Sequence, residues 1–373
     1  MCAKNAFEIF EELKDPRIER KTKHRLATII SIAVCGVMVG AETFEDIELY
    51  GHAKKDWFSM YIELENGVPS HDTFRRVFGL ICPKSFQDLF SKWIQLIFGG
   101  IESGHIAIDG KSLRGSKRRK GNLDPIHIVN AFCCENTCFL AQLAVKNKCG
   151  EKSVLPEIID QLHIQDTLIS IDAGGCYPDI ATHIRAKKGD YLFGLKGNQK
   201  TSFEAAKTYF ETHVFGQESV VFPDHDAFDH SHGRCVRRRV FVRDIDVNDH
   251  PVLAKWPDLS RLIATETISI RDNKPISSQF RYYISSSSIS ADMLARSIRN
   301  HWSIENSLHW VLDVSLAEDA SRIRDAIAAQ NMSALRKFTL NVLRKDPKKI
   351  SLKAKRKLAA WSDTYLLSLL KLC

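Results

Sequence analysis

No two cysteines in this chain form a CxxC pair, and its 373 residues contain no GxxxxGK[ST], GxGxxG, GxSxG or HExxH. A nucleotide cofactor, a hydrolase nucleophile elbow and a zincin helix therefore have no motif support. The ten cysteines are a mild enrichment. Cys133, Cys134 and Cys138 lie close together but lack a second pair or a histidine at finger spacing, so they read as buried thiols in a reducing compartment. The opening MCAKNAFEIFEELKDPR mixes acids among its apolar residues, unlike a signal peptide, so export is not expected. The most apolar run, Leu26 to Ala41, is shorter than the roughly 20 residues needed to cross a bilayer and reads as a buried helix. No period of about 20–50 residues recurs, which sets aside solenoids and propellers.

What is present is an ordinary globular composition, 44% hydrophobic and 26% charged, with 53 Lys+Arg against 45 Asp+Glu and a formal charge of +8. Residues 1–98 read as helices, with Ser70 capping one that carries Phe74, Val77 and Phe78, and Gly99-Gly100 marks the first boundary. Residues 99–217 alternate strands and helices. HIAID, Ile126 to Cys134, Phe139 to Val145, TLISID and Tyr191 to Leu195 read as strands, a mixed α/β pattern. Residues 218–288 lose the helical period and form a β-rich insertion, with strands expected at Val220 to Phe222, Cys235 to Val242, Leu262 to Ile270 and Gln279 to Ile284. Helices return over 289–373, where Ser290 is a cap and Ile298 to Asp313 reads as one helix.

Two aspartates share a context: Asp109 ends HIAID before Gly110, and Asp172 ends LISID before Ala173-Gly174-Gly175. Such acids stand at the edge of a sheet, where ligands bind in α/β folds, although Asp before Gly is also a common turn cap. On the helix, His301, Glu305, His309 and Asp313 recur every four residues and share one face, too polar for core. Converging carboxylates suit hard divalent cations, and two such ions about 3.5–4 Å apart activate a water or a 3′-hydroxyl in phosphodiester transfer. Zinc hydrolysis through His301, His309 and Glu305 is the weaker alternative. Basic residues flank the acids: Lys111, Arg114, Lys117, Arg118, Arg119 and Lys120 in one run, Arg234 and Arg237 to Arg239 in the insertion, and more in the tail. A basic run alone is usually a solvated face; beside acids it fits a polyanionic substrate.

IAIDGKSLRGS, SIDAGGC, DYLFGLKGNQK, SHGR, RYYISS and RNHWSIENSLHWVLDVSLAEDASRIR, in this order, resemble the H-repeat-associated proteins, bacterial insertion-sequence transposases of the ISAs type with a DDE site. The resemblance spans nearly the whole chain. It implies an RNase H-like catalytic core with a β-strand insertion, preceded by an all-α N-terminal domain. It also implies that Asp109, Asp172 and Glu305 are the catalytic acids and ligands of Mg²⁺, with Mn²⁺ as a substitute. Lys196, Asn198 and Gln199 match the LKGNQ segment and would sit near DNA. Positions that hold Tyr, Arg and Lys in related transposases with a β insertion are Ile298, His301 and Asp313 here. Phosphate contacts would then come from His301, His309, Arg299 or Arg322 and Arg324, and Arg234 and the basic run are expected at the DNA as well. The implied activity is cleavage of the element's ends and strand transfer into target DNA. Its partners would be double-stranded DNA carrying the terminal inverted repeats and a second copy of the chain, with no membrane, in the bacterial cytoplasm at the nucleoid. Arg75 and Arg76 are equally phosphate contacts or solvated residues of a packing helix. The competing readings are a DNA-binding relative without catalysis and a metal-dependent nuclease without strand transfer.

Overall fold

The structure, a computed structural model, describes residues 5–18, 22–98, 104–117, 124–145, 150–216, 221–231, 234–271 and 274–372. Its strands are β1 (His105–Leu113), β2 (Ile126–Cys133), β3 (Cys138–Val145), β4 (Leu168–Ile171), β5 (Asp190–Leu195), β6 (His225–Ser231), β7 (Arg234–Asp244), β8 (Arg261–Arg271) and β9 (Lys274–Ser285). They form one sheet in the order β3-β2-β1-β4-β5-β9-β8-β7-β6. β1, β2 and β3 are an antiparallel meander, while β1, β4 and β5 run parallel. That five-stranded part is an RNase H-like core. β9 pairs antiparallel with β5, Leu192 opposite Ser285, so the inserted strands extend the same sheet.

Side-chain alternation along β1 decides what the site is made of. Ile106 and Ile108 pack into a cluster with Ile158, Ile180 and Phe210, from helices Glu151–Asp160, Pro178–Ala186 and Lys200–Phe210. Ala107 belongs to the opposite cluster, with Leu308 and Phe338. With a period of two, even-numbered β1 residues therefore face the first set of helices and odd-numbered ones face the C-terminal helices.

The opposite cluster is also the core of the N-terminal helices, since Phe10, Ile32, Phe74 and Trp93 share it with Leu335, Phe338 and Leu366. Helix Ala326–Lys345 joins the two. Phe338 stacks on Trp93 at 4.2 Å between ring centroids. Asn331 Nδ2 donates to Phe78 O at 2.8 Å, and Asn341 Nδ2 donates to Phe139 O at 2.8 Å, tying the N-terminal helices to β3. In the helix Leu26–Val39 every residue from Leu26 to Met38 is buried. Among the described residues no single helix is long and apolar enough to cross a membrane.

Two expected elements differ. Val221 and Phe222 lie outside any strand, and the strand that opens the insertion is β6, HDAFDHS. Its apolar signal is weak because cross-strand ion pairs hold it: Arg237 with Asp226, and Arg238 with Asp229. The segment Ile298 to Asp313 is not one regular helix. It comprises helix Ala291–His301, a π-helical turn Ile304–His309 and helix Trp310–Leu316. The residues at the expected boundary Gly99-Gly100, and Arg118, Arg119 and Lys120, lie outside the described set.

Candidate active site

Asp109 and Lys111 are odd-numbered residues of β1 and so point toward the C-terminal helices. The helix rows opposite them repeat every four residues, and the two periods match. His309 Nδ1 lies 2.9 Å from Glu305 Oε2 and 3.7 Å from Asp109 Oδ2, while Lys111 Nζ lies 2.7 Å from both Asp313 carboxylate oxygens. The Lys111–Asp313 pair pins the helix against β1, one repeat along from Asp109.

Asp172 follows β4 and caps the turn Ala173–Gly175, accepting from Gly174 N at 2.8 Å. Because β1 and β4 are parallel, with Ile108 beside Ile171, Asp109 and Asp172 emerge side by side. Asp109, Asp172 and Glu305 all line one cavity of about 460 Å³, whose other walls include Lys196, Arg281, His301 and Trp302. The turn-cap reading of Asp172 is thus also correct, and it leaves the residue at the cavity.

The electrostatics is that of a crowded anionic site. Burial pushes the Asp109 carboxyl up to about 7, and the charges of Asp172, Glu151 and Glu305 add to the effect, against a backbone hydrogen bond from Gly110. Glu305 goes the other way, held below the usual carboxylate range by the hydrogen bond from His309. Burial lowers His309, so its ring is neutral. Asn130 Nδ2 stands 3.2 Å from His309 Nε2, and the network therefore assigns the ring proton to Nδ1, where it is donated to Glu305. His301 is held down to about 4 by burial, and its Nδ1 lies 2.9 Å from Ser170 Oγ, which in turn lies 2.7 Å from His105 Nε2.

The remaining sequence-predicted residues divide by exposure. Arg114, Lys117, Lys196, Asn198 and Arg299 are exposed. Arg114 pairs with Asp319 at 3.5 Å and Arg299 with Asp229 at 2.6 Å. Asn198 Nδ2 donates to Ala173 O, beside Asp172. Lys111, Gln199 and His309 are buried, and Gln199 donates to Cys176 O at 3.0 Å. Arg234 opens β7. Arg75 pairs with Glu45 and Asp72, at 2.7 and 2.6 Å. In the basic tail Lys355 and Arg356 turn inward to backbone carbonyls, Lys355 to Leu343 O and Arg356 to Val37 O, because helix C-termini need donors. Sequence reasoning missed Asn130, His127 and Glu151. Only alternation along the β2 segment IHIVNAF, where polar His127 and Asn130 interrupt an apolar strand, carried a signal for the first two.

One oxygen each from Asp109 and Glu305 and one nitrogen of His309 lie within 4.8 Å of one another. This oxygen-rich set suits a hard divalent ion. Asn130 Oδ1 is buried without a partner, and turning that amide over would let it accept from His309 Nε2–H, freeing Nδ1 as a ligand. A cation would also offset the cost of ionising Asp109 among its neighbours.

A mixed sheet with this order, with acids meeting from two strand ends and a facing helix, is an RNase H-like scaffold. Two family descriptions match the chain: DDE_Tnp_1-associated over residues 7–94, and Transposase DDE domain over residues 101–342. The chain belongs to the DDE transposase family. It is 37% identical to the transposase-named YncI of Escherichia coli O157:H7, over 100% of this chain and 96% of that protein. It is 34% identical to the H repeat-associated YhhI of Escherichia coli K12, over 99% and 98%. A cryo-EM structure of the piggyBac transposase synaptic complex with hairpin DNA overlays 99% of this chain and 80% of its own, at 12% identity and TM-score 0.45. The family places the chain among the DNA-acting enzymes of the DDE superfamily, which use divalent metals.

Proposed function

We propose that this chain cuts the ends of its own insertion sequence and joins them to target DNA, with Asp109, Asp172 and Glu305 as ligands of Mg²⁺, replaceable by Mn²⁺. The observation that carries the reading is the convergence of these three acids on one cavity that also presents Lys196 and Arg281. A divalent ion bound there would polarise the phosphate and lower the pKa of the attacking water.

The chain's own residues supply the rest. Asp109 must be deprotonated, and its fixed place beside Asp172 on parallel strands sets the spacing of the donors. In the metal-free site His309 orients Glu305 through Nδ1–H and is itself held by Asn130; with that amide turned over, Nδ1 would join the ligands. Lys196 and Arg281 face the cavity as cations for the non-bridging phosphate oxygens, and exposed Arg114, Lys117 and Arg299 continue the path for the backbone. In the first step water adds to phosphorus and the P–O3′ bond breaks, leaving a 3′-hydroxyl and a 5′-phosphate. In the second that hydroxyl attacks a target phosphate and expels a 3′-oxygen, so no external energy source is consumed. Joining both ends requires two active sites, hence a dimer of this chain on DNA. The divisions 1–98, 99–217, 218–288 and 289–373 would then serve as end-associated helices, core, insertion and the segment that completes the core.

The reading is tested on a duplex carrying the element's terminal repeats, labelled at the 5′ end, with Mg²⁺ or Mn²⁺. Wild-type protein should release a fragment ending in a 3′-hydroxyl, and that fragment should become covalently joined to a second duplex. Cleavage without joining would instead identify a nuclease, and binding without either a DNA-binding relative.

A further inference from the structure

On the other face of β1 lies a carboxylate that the three-acid reading does not use. Glu151 is the first residue of helix Glu151–Asp160, and its Oε1 is 2.5 Å from His127 Nε2. His127 is buried, and its Nδ1 lies 2.9 Å from Ser112 Oγ, so the ring is fixed at both nitrogens, donating to Glu151 and accepting from the hydroxyl. Even-numbered β1 residues point this way, and position 110 is a glycine. A Cβ there would stand 2.4 Å from both Glu151 Oε1 and His127 Nε2. A Cβ on Gly174 would stand 3.7 Å from Glu151 Oε2 and 3.0 Å from Asp172 Oδ1. Glu151 therefore sits between the residue after Asp109 and the turn capped by Asp172, and no donor among the described residues reaches its Oε2.

We infer that Glu151, oriented by His127, is a fourth carboxylate of the metal site, reaching the divalent ion of Asp109 and Asp172 from the opposite face of the sheet, directly or through one bound water. This rests on the proposed function above. A helix-capping role accounts for an acid in a first turn. It does not account for a buried histidine aligning that acid, nor for the missing side chain at 110 that makes room for the pair. Supporting residues of this kind change metal affinity by about 10–100-fold when removed.

The test is Mn²⁺ binding to the full-length protein without DNA, followed by the electron paramagnetic resonance of free Mn²⁺. Glu151→Gln, nearly isosteric, should weaken binding about tenfold or more. Glu151→Asp should recover part of the loss, and His127→Gln should show an intermediate loss. Should Glu151→Gln fail to fold, a graded loss in the Asp and His127 variants carries the same decision. Wild-type affinity in the Glu151 and His127 variants, with binding lost in Asp109→Asn, overturns this inference and leaves the proposed function standing. Wild-type affinity in Asp109→Asn as well overturns both.

Discussion

Ionising Asp109 is costly in this fold. With its carboxyl raised to about 7 against an ordinary value of 3.8, the metal-free folded state holds a proton that the unfolded chain releases. The folded state then binds more protons, so metal-free stability should fall as pH rises from about 4 to about 7 and level off above. Asp109→Asn removes that titration, so the variant should be more stable than wild type in EDTA at pH 8, by an amount on the order of a few kcal/mol. Urea denaturation at pH 5 and pH 8 checks this, and a parallel pH dependence in both proteins would contradict it. The two aspartates were legible because each ends an apolar run before a glycine-bearing turn, and Glu305 because it recurs with His301, His309 and Asp313 every four residues. Glu151 was not, since GEKSVLPEIID reads as a plain solvent-facing helix start and only the glycine gap at 110 reveals its direction. Lys111 reads as one cation of a basic run, and folding turns it inward because it shares the odd face of β1 with Asp109.

At the scale of elements, the site depends on matching one strand repeat to one helical repeat. The chain just after β1 packs closely against the segment that follows helix Trp310–Leu316 at Gly115, where a Cβ would lie 2.0 Å from Ser321 O and 2.8 Å from Asp319 O. Both are backbone atoms that cannot rotate away. Gly115→Ala should therefore destabilise the protein by about 2 kcal/mol or more and loosen the Lys111–Asp313 anchor. A thermal midpoint equal to wild type would show that the contact yields. The four-residue spacing of His301, Glu305, His309 and Asp313 foretold one shared face, and all four do face β1 or β4. The π turn within it was not legible, because a wide turn takes up one extra residue, and over so few turns a four-residue repeat does not separate it from a regular helix. β6 escaped detection for a different reason: its partners are arginines, and pairing by charge leaves no apolar alternation.

For the whole molecule, the N-terminal helices and the C-terminal helices are one hydrophobic core rather than neighbours across a linker. A fragment of residues 99–373 would expose Phe338, Leu335 and the other side chains that Trp93, Phe90 and Phe74 now cover. It should elute as aggregate and bind a hydrophobic dye; a folded, monomeric fragment would contradict that account. Composition argued against disordered, collagen-like and disulfide-rich classes, and the basic clusters beside the acids pointed to a polyanion. It could not show that Lys355 and Arg356 serve helix ends, or that Arg237 to Arg239 are matched by acids on adjacent strands, since both depend on contacts far apart in the chain.

The measurement that bears most directly on the central claim compares wild type with Asp172→Ala on a duplex made from the element's inverted repeats, scoring binding in EDTA and nicking in Mg²⁺ or Mn²⁺. Asp172 is partly exposed at the cavity edge, and the basic residues, not the acids, supply most of the affinity for DNA. Both proteins should bind alike, and only wild type should nick at the repeat boundary. Nicking retained in Asp172→Ala would contradict the assignment of this site.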